Sequence, residues 1–153
     1  MHTMTKAALS DVAAIHHLIM GAAEKQQMLA RSLQSIYENL RAFIVCRNTK
    51  GDVIGCCALQ IVWDDMAEVR SLAVLPRYKA KGIGSALVQA CLDEAKALGI
   101  PKVFTLTYVP RFFKKQGFKV IDKKKLPHKI WADCIHCPHF PDCDETALVR
   151  MIC

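Results

Sequence analysis

The stretch Glu68-Val69-Arg70-Ser71-Leu72-Ala73-Val74, carried through Leu75-Pro76-Arg77-Tyr78 into Lys79-Ala80-Lys81-Gly82-Ile83-Gly84-Ser85, decides how this chain is read. Its first part has the β-branched and apolar content of a strand. Its last part is a basic glycine turn that opens a helix. The first amides of a helix have no partner inside it, and the helix dipole places partial positive charge beside them. Gly82 and Gly84 carry no Cβ to bar an anion from the main chain, and Lys79 and Lys81 add mobile cations. Strand, turn and helix together predict a seat for a phosphate-bearing cofactor.

Outward from this core, residues 3–9 read as a first strand. Ser10 is placed to cap a helix running to about Ala23, with Val12, Ile15, Leu18 and Ile19 as its buried stripe. Leu33, Ile36, Tyr37 and Leu40 suggest a short second helix. Ala42–Arg47 and Val53–Trp63 read as strands joined by a turn at 48–52, and Met66–Val74 continues the meander after Asp64-Asp65. The clearest helix is Ile83–Leu98, buried through Ile83, Leu87, Ala90, Cys91 and Leu98 and ended by Gly99 and Pro101. Val103–Thr107, Pro110–Gln116, Phe118–Asp122 and Ala147–Ile152 follow as strand, helix, strand and strand. The order implies a mixed sheet covered by helices, an α/β (α+β) architecture in one domain over 1–153. A Cys-rich C-terminal segment at about 126–146 interrupts it.

A chain of 153 residues with 52% apolar content can bury roughly 70% of its unfolded surface. The 21 basic and 14 acidic side chains leave a formal charge of +7, which suits an anionic ligand. Nucleic acid is disfavoured, because the basic residues are not interleaved with aromatics and no zinc-finger, RNP or basic-helix pattern appears. No apolar run reaches the ~18 residues of a membrane span, and no leader pattern opens the chain, so a cytoplasmic location is expected. Of the eight cysteines, Cys153 is the last residue and the other seven fall into two groups. Cys46, Cys56, Cys57 and Cys91 lie in apolar patterns and read as small core residues. Cys134, Cys137 and Cys143, with His136 and His139 among them, have the residue types of a structural zinc or iron–sulfur site, but with a single C-x-x-C pair. A structural metal, reduced packed thiols and a labile disulfide all stay open there.

The arrangement resembles the GNAT superfamily of N-acetyltransferases. The resemblance rests on Glu68–Val74, on the loop Arg77–Ser85, and on Phe112-Phe113-Lys114-Lys115-Gln116-Gly117-Phe118. It implies a GNAT fold with a splayed central strand pair and acetyl-CoA as cosubstrate. The family's cofactor loop is Q/R-x-x-G-x-G/A; here Lys79 replaces the glutamine or arginine while Gly82 and Gly84 match. By resemblance Leu72, Ala73, Val74, Lys79, Ala80, Lys81, Gly82, Ile83, Gly84, Ser85 and Phe113 fall at cofactor-binding positions. The main chain of Leu72 and Val74 would pair with the pantetheine arm as an added strand. Phe113 stands where the family often has a proton-donating tyrosine, which leaves Tyr108 as the candidate acid. Within the superfamily the chain is similar to small stand-alone amino-acid N-acetyltransferases of the N-acetylglutamate synthase type, through Ala30-Arg31-Ser32, Tyr37-Glu38-Asn39-Leu40-Arg41, Leu126-Pro127-His128-Lys129-Ile130-Trp131 and the terminal block ending Cys143-Asp144-Glu145.

Acetylating an α-amine requires a neutral nitrogen, and Glu68 is the candidate base. The Leu72 N–H is the candidate donor to the developing oxyanion. Two carboxylates of an acidic acceptor call for guanidinium forks, for which Arg31 and Arg70 are the candidates. Period-two alternation would place Glu68, Arg70 and Leu72 on one face. The expected activity is direct acetyl transfer to an acidic amino acid, L-glutamate, as in arginine biosynthesis, with homodimerisation as a possibility. Acetylation of protein N-termini or lysines is the enzymatic alternative. A CoA-binding or metal-responsive regulatory module is the alternative of another class.

Overall fold

The structure is a computed structural model, and it describes residues 2–126 and 145–152. In chain order the elements are β1 (Thr3–Lys6), α1 (Val12–Glu24), α2 (Leu33–Glu38), β2 (Phe43–Arg47), β3 (Val53–Trp63), β4 (Met66–Val74), α3 (Ile83–Ala97), β5 (Lys102–Thr107), α4 (Pro110–Lys115), β6 (Lys119–Ile121) and β7 (Thr146–Met151). The strands form one mixed sheet in the order β1-β2-β3-β4-β5-β7-β6, antiparallel at every step except β4–β5. The expected Cys-rich segment lies, over 127–144, outside the described residues.

Alternation along the strands sorts the apolar residues into two layers. Val12, Ile15, Leu18 and Ile19 of α1 and Ile36 of α2 pack with Phe43, Val45, Cys56, Ala58 and Ala73 on one face. Ile83, Leu87, Val88, Cys91, Leu92 and Ala95 of α3 cover the other face, over Ile44, Cys57, Ala67, Val69 and Val103. Phe113 and Phe118 complete that second layer from α4 and the turn after it. The α1 stripe is as the spacing predicts. In α3, Leu98 falls past the last turn and is 57% exposed, and Val88, Leu92 and Ala95 fill the face instead. Gly99 at φ +79° ends that helix.

Ser10 does not cap α1. Residues 9–11 form a 3₁₀ turn, and the Asp11 carboxylate accepts from the Ala8 N–H at 2.8 Å. The same carboxylate takes a two-pronged bond from the Arg47 guanidinium, at 3.0 and 2.7 Å. Arg47 also donates to Thr5 Oγ1 at 3.2 Å, so one side chain ties β1, β2 and the α1 entry together. Ser32 does cap α2, accepting from the Ser35 N–H at 3.0 Å.

Two irregularities of β4 shape the centre of the sheet. Its parallel ladder with β5 has three rungs, Met66–Lys102, Ala67–Val103 and Glu68–Phe104, and then the strands part. The Thr105 hydroxyl donates to the Val69 carbonyl at 2.9 Å, satisfying a buried acceptor where the ladder would have continued. Against β3, Cys56 faces Ala73 while Ala58 faces Arg70, so β4 holds one residue more than its partner between these rungs. Ser71 absorbs this bulge at φ +57°, a conformation rare for a residue with a side chain.

Asp11→Asn is expected to lower stability by about 2 kcal/mol near neutral pH, the usual worth of hydrogen bonds to a charged group. The Arg47 hydrogen bonds hold the Asp11 carboxyl below the ordinary range against the opposing effect of burial. A lowered folded value stabilises above the unfolded one and is lost as pH falls through the folded one. The wild-type advantage should therefore hold at neutral pH and shrink below about pH 4, as denaturant titrations across pH will show. Thr105→Val leaves the Val69 carbonyl without its partner and should lower the unfolding free energy by about 1–3 kcal/mol, with no cavity created.

Candidate active site

The cleft between β4 and β5 opens beyond the Glu68–Phe104 rung. β7 pairs with β5 along all six of its residues, so the far edge of β5 is covered and the gap lies on the β4 side. The Leu75 N–H donates to Ile54 on β3 at 2.9 Å. Counting back by two, Ala73 also faces β3, which turns the main-chain groups of Leu72 and Val74 toward the gap. An extended chain laid there would meet a free strand edge in the middle of a sheet.

The bulge overturns the alternation expected for the side chains. Glu68 and Arg70 lie on the α1–α2 face, but the extra residue at Ser71 shifts the phase, and Leu72 and Val74 pack on the α3 face. Leu72 therefore contributes main chain to the cleft and its side chain to the opposite core.

Glu68 stands at the vertex of the split. It is 7% exposed, so it is no solvated strand-end residue. Arg70 donates to its Oε1 through Nε at 3.0 Å and through Nη2. Arg31, in the segment before α2, reaches the same face. Its Nε and Nη2 donate to Ser35 Oγ at 3.1 and 3.0 Å, and its Nη1 to Ser71 Oγ at 3.0 Å. The guanidinium also lies 5.2 Å from the centre of the Phe43 ring. Among the described residues no carboxylate lies within salt-bridge distance of Arg31. Burial, and then the like charge of Arg70, push the Arg31 guanidinium downward. A half-buried cation held by neutral hydroxyls beside a second cation is a place where an anion would be stabilised.

Cys56 lies beneath the bulge, with its thiol donating to the Ser71 carbonyl at 3.5 Å. Burial pushes that thiol up to about 12, and the neighbouring Cys57 is raised by a hydrogen bond with Cys91 and by burial. Neither is a thiolate near neutral pH, so neither is placed to act as a nucleophile. Sequence reading assigned these cysteines to the core, and all four of the described ones are free and buried. Among the described residues no group of three or more His, Cys, Asp or Glu side chains is arranged to hold a metal.

The glycine loop leaves β4 through a 3₁₀ turn at Pro76–Tyr78 and starts α3 with Gly82 in the left-handed region, φ +80°. Ala80 also has positive φ, +64°. No side chain caps this end of α3, so the amides of its first turn point into the space beside the loop. The two glycines serve different ends. Around Gly82 a Cβ would meet nothing within 4 Å, and its backbone angle is what demands glycine. At Gly84 a Cβ would come within 3.3 Å of the Phe112 ring, so close packing demands it. Lys79 donates to Gln27 Oε1 at 3.0 Å, bracing the loop against the end of α1. Arg77 and Lys81 both lie over the Tyr78 ring, at 5.3 and 5.5 Å.

Tyr108 follows the last residue of β5, at the open end of the cleft. Phe113 is 3% exposed and packs edge-on against Phe112 and Phe118. Its side chain belongs to the α3-side core, and Phe112 is the ring that touches the glycine loop. Ser71, Ser35 and Thr105 were not singled out in the sequence. Nothing in their local pattern marks them, since their importance comes from partners 4 to 40 residues away. Lys129 and the three C-terminal cysteines fall outside the described residues.

The description "Acetyltransferase (GNAT) family" belongs to a family model that matches residues 10–118. An uncharacterized N-acetyltransferase of Chlorobaculum tepidum is 43% identical over 146 residues, 95% of this chain and 94% of that protein. The amino-acid acetyltransferase of Mycobacterium tuberculosis is 38% identical over 130 residues, 84% of this chain and 74% of the relative. Among solved structures, N-acetylglutamate synthase from Neisseria gonorrhoeae, complexed with coenzyme A and N-acetyl-glutamate, has a TM-score of 0.91 at 25% identity. That likeness takes in all of this chain and 35% of the synthase. A Mycobacterium tuberculosis protein in complex with CoA has a TM-score of 0.85 at 29% identity, covering 99% of both chains. No helix among the described residues is long and apolar enough to cross a membrane. The split sheet, the glycine loop and these relatives agree: the chain belongs to the GNAT family of acetyltransferases.

Proposed function

We propose that this protein transfers the acetyl group of acetyl-CoA to the α-amine of an acidic amino acid, L-glutamate. The observation that carries the acceptor is Arg31, a half-buried cation facing Arg70 with only serine hydroxyls as hydrogen-bond acceptors among the described residues. A carboxylate makes charge-assisted bonds to a guanidinium that are about twice as strong as those of a neutral hydroxyl, so a dicarboxylate would displace the serines. The name of the Mycobacterium relative supports an amino-acid acceptor, and that of the Neisseria synthase supports glutamate.

The cofactor fits the other half of the site. The amides of Ile83, Gly84 and Ser85, with Lys81, are placed for the diphosphate. The strand edge at Leu72 and Val74 then carries the pantetheine arm toward the Glu68 vertex. There the substrates meet, the acyl group from the α3 side of the loop and the amine from the α1–α2 face. Glu68, directly or through a water, takes a proton from the ammonium so that the nitrogen lone pair can add to the thioester carbonyl. The Leu72 N–H donates to the carbonyl oxygen as it becomes negative. The C–N bond forms, the C–S bond breaks and the thiolate departs, while the nitrogen's second proton passes through water to replace the one that the sulfur takes up. Tyr108 stands at the cleft mouth as the proton donor to that sulfur. The high thiol pKa of Cys56 supports direct transfer over a route through an acyl-cysteine. An N-acetylglutamate product would serve arginine biosynthesis.

Free CoA thiol, followed with acetyl-CoA and each of the twenty amino acids in turn, should rise saturably with glutamate. Release with peptides alone would overturn the acceptor assignment. Arg31→Met should raise the KM for glutamate about 10-fold or more while leaving the KM for acetyl-CoA nearly unchanged. Because it also removes a half-buried cation repelled by Arg70, the thermal midpoint of this variant without ligands should match or exceed that of the wild type.

A further inference from the structure

The hydroxyl of Ser85, in the first turn of α3, has a partner outside its own helix. Gln116 Nε2, at the end of α4, donates to Ser85 Oγ at 2.8 Å. A hydroxyl carries one proton and two lone pairs, so accepting this bond leaves its single O–H to donate elsewhere. Both side chains are half-buried, which limits the directions open to that proton. The neighbouring amides of the α3 first turn point into the space by the loop.

The main chain of Gln116 is itself firmly placed. Its residue closes α4, with its N–H donating to the Phe113 carbonyl at 3.0 Å. Its own carbonyl accepts from Arg150 Nη1 on β7 at 2.5 Å. Phe112, four residues earlier and so on the same side of α4, lies against Gly84. Two contacts four residues apart thus clamp α4 onto two successive residues of the cofactor loop.

We infer that Gln116 is a positioning residue that holds the Ser85 hydroxyl as a proton donor to the diphosphate of the acyl donor. The inference rests on the proposed seat for that diphosphate at the start of α3. It adds a residue from α4, and through Arg150 from β7, to the machinery that recognises the anion.

The experiment compares two acyl donors that share the thioester arm. Acetyl-CoA carries the diphosphate, and S-acetylpantetheine has no phosphate at all. Isothermal titration of the wild type with CoA comes first; absence of binding there would remove the proposed cofactor seat itself. With binding established, Gln116→Met, which keeps the chain length but cannot donate, should raise the KM for acetyl-CoA about 5–10-fold. Its kcat and its kinetics with S-acetylpantetheine should stay within about twofold of wild type. Ser85→Ala should give a similar loss, and the double variant should be no worse than Ser85→Ala alone. An equal loss with both donors, or additive losses in the double variant, would make Gln116 a merely structural residue and overturn the inference. So would an unchanged or lowered KM for acetyl-CoA in Gln116→Met, the result expected if the glutamine oxygen instead held the serine proton. Should Gln116→Met not fold, Gln116→Leu takes its place with the same two donors, and losses that do not depend on the diphosphate again overturn it.

Discussion

The ladder between β4 and β5 ends after three rungs, and the geometry of the candidate site depends on that early ending. A parallel pair in the middle of a sheet would ordinarily continue, because each unpaired buried amide or carbonyl costs free energy. Here the expense is limited by the Thr105 hydroxyl, which satisfies the Val69 carbonyl. Beyond it β4 offers a strand edge inside the molecule, where edges are normally covered. Glu68 belongs to the last rung before the gap, so the only carboxylate of β4 sits at the point where an extended ligand would end.

The bulge at Ser71 performs a second sorting. Without it, strand alternation would send Leu72 to the face that holds Glu68 and Arg70. With it, the polar residues Glu68, Arg70 and Ser71 meet Arg31 on the α1–α2 side, while Leu72 and Val74 seal the α3 side. The strained backbone of Ser71 is tied to Arg31 by its own hydroxyl, which links the segment before α2 to β4. Among the described residues the guanidiniums of Arg31 and Arg70 lie on the same face as the Glu68 carboxylate, and under the proposed function this is the positive charge that an anionic acceptor would meet.

At the other end of β4, the loop before α3 is held from three directions. Lys79 reaches α1 through Gln27, Tyr78 lies beneath Arg77 and Lys81, and α4 presses on Gly84 and Ser85. Backbone amides can stabilise an anion without reorganising only if the chain that bears them is already fixed. Phe112 against Gly84 and the Gln116–Ser85 hydrogen bond hold that stretch of chain from α4.

Much of this was legible beforehand. Val53–Trp63 and Met66–Val74 end where their turn residues said they would, and the glycine loop declared its helix start. These features are local: periodicity, turn chemistry and a left-handed glycine are properties of a few consecutive residues. Residue type and position also singled out Glu68, Arg31 and Arg70 as candidates, and the structure brings the three to one face of the sheet. What local pattern misjudged was the Ser10 cap, displaced by Asp11 because Arg47 from a distant strand fixes that carboxylate. It also misjudged the side-chain phase after Ser71, since a bulge exists only relative to a partner strand. The sequence by itself determined the elements, their order and the chemistry that the cofactor loop can offer. The tertiary structure alone decided which side chains share a face, where the β4–β5 ladder stops and which cation, among the described residues, has no carboxylate within salt-bridge distance, because each depends on what distant segments bring alongside.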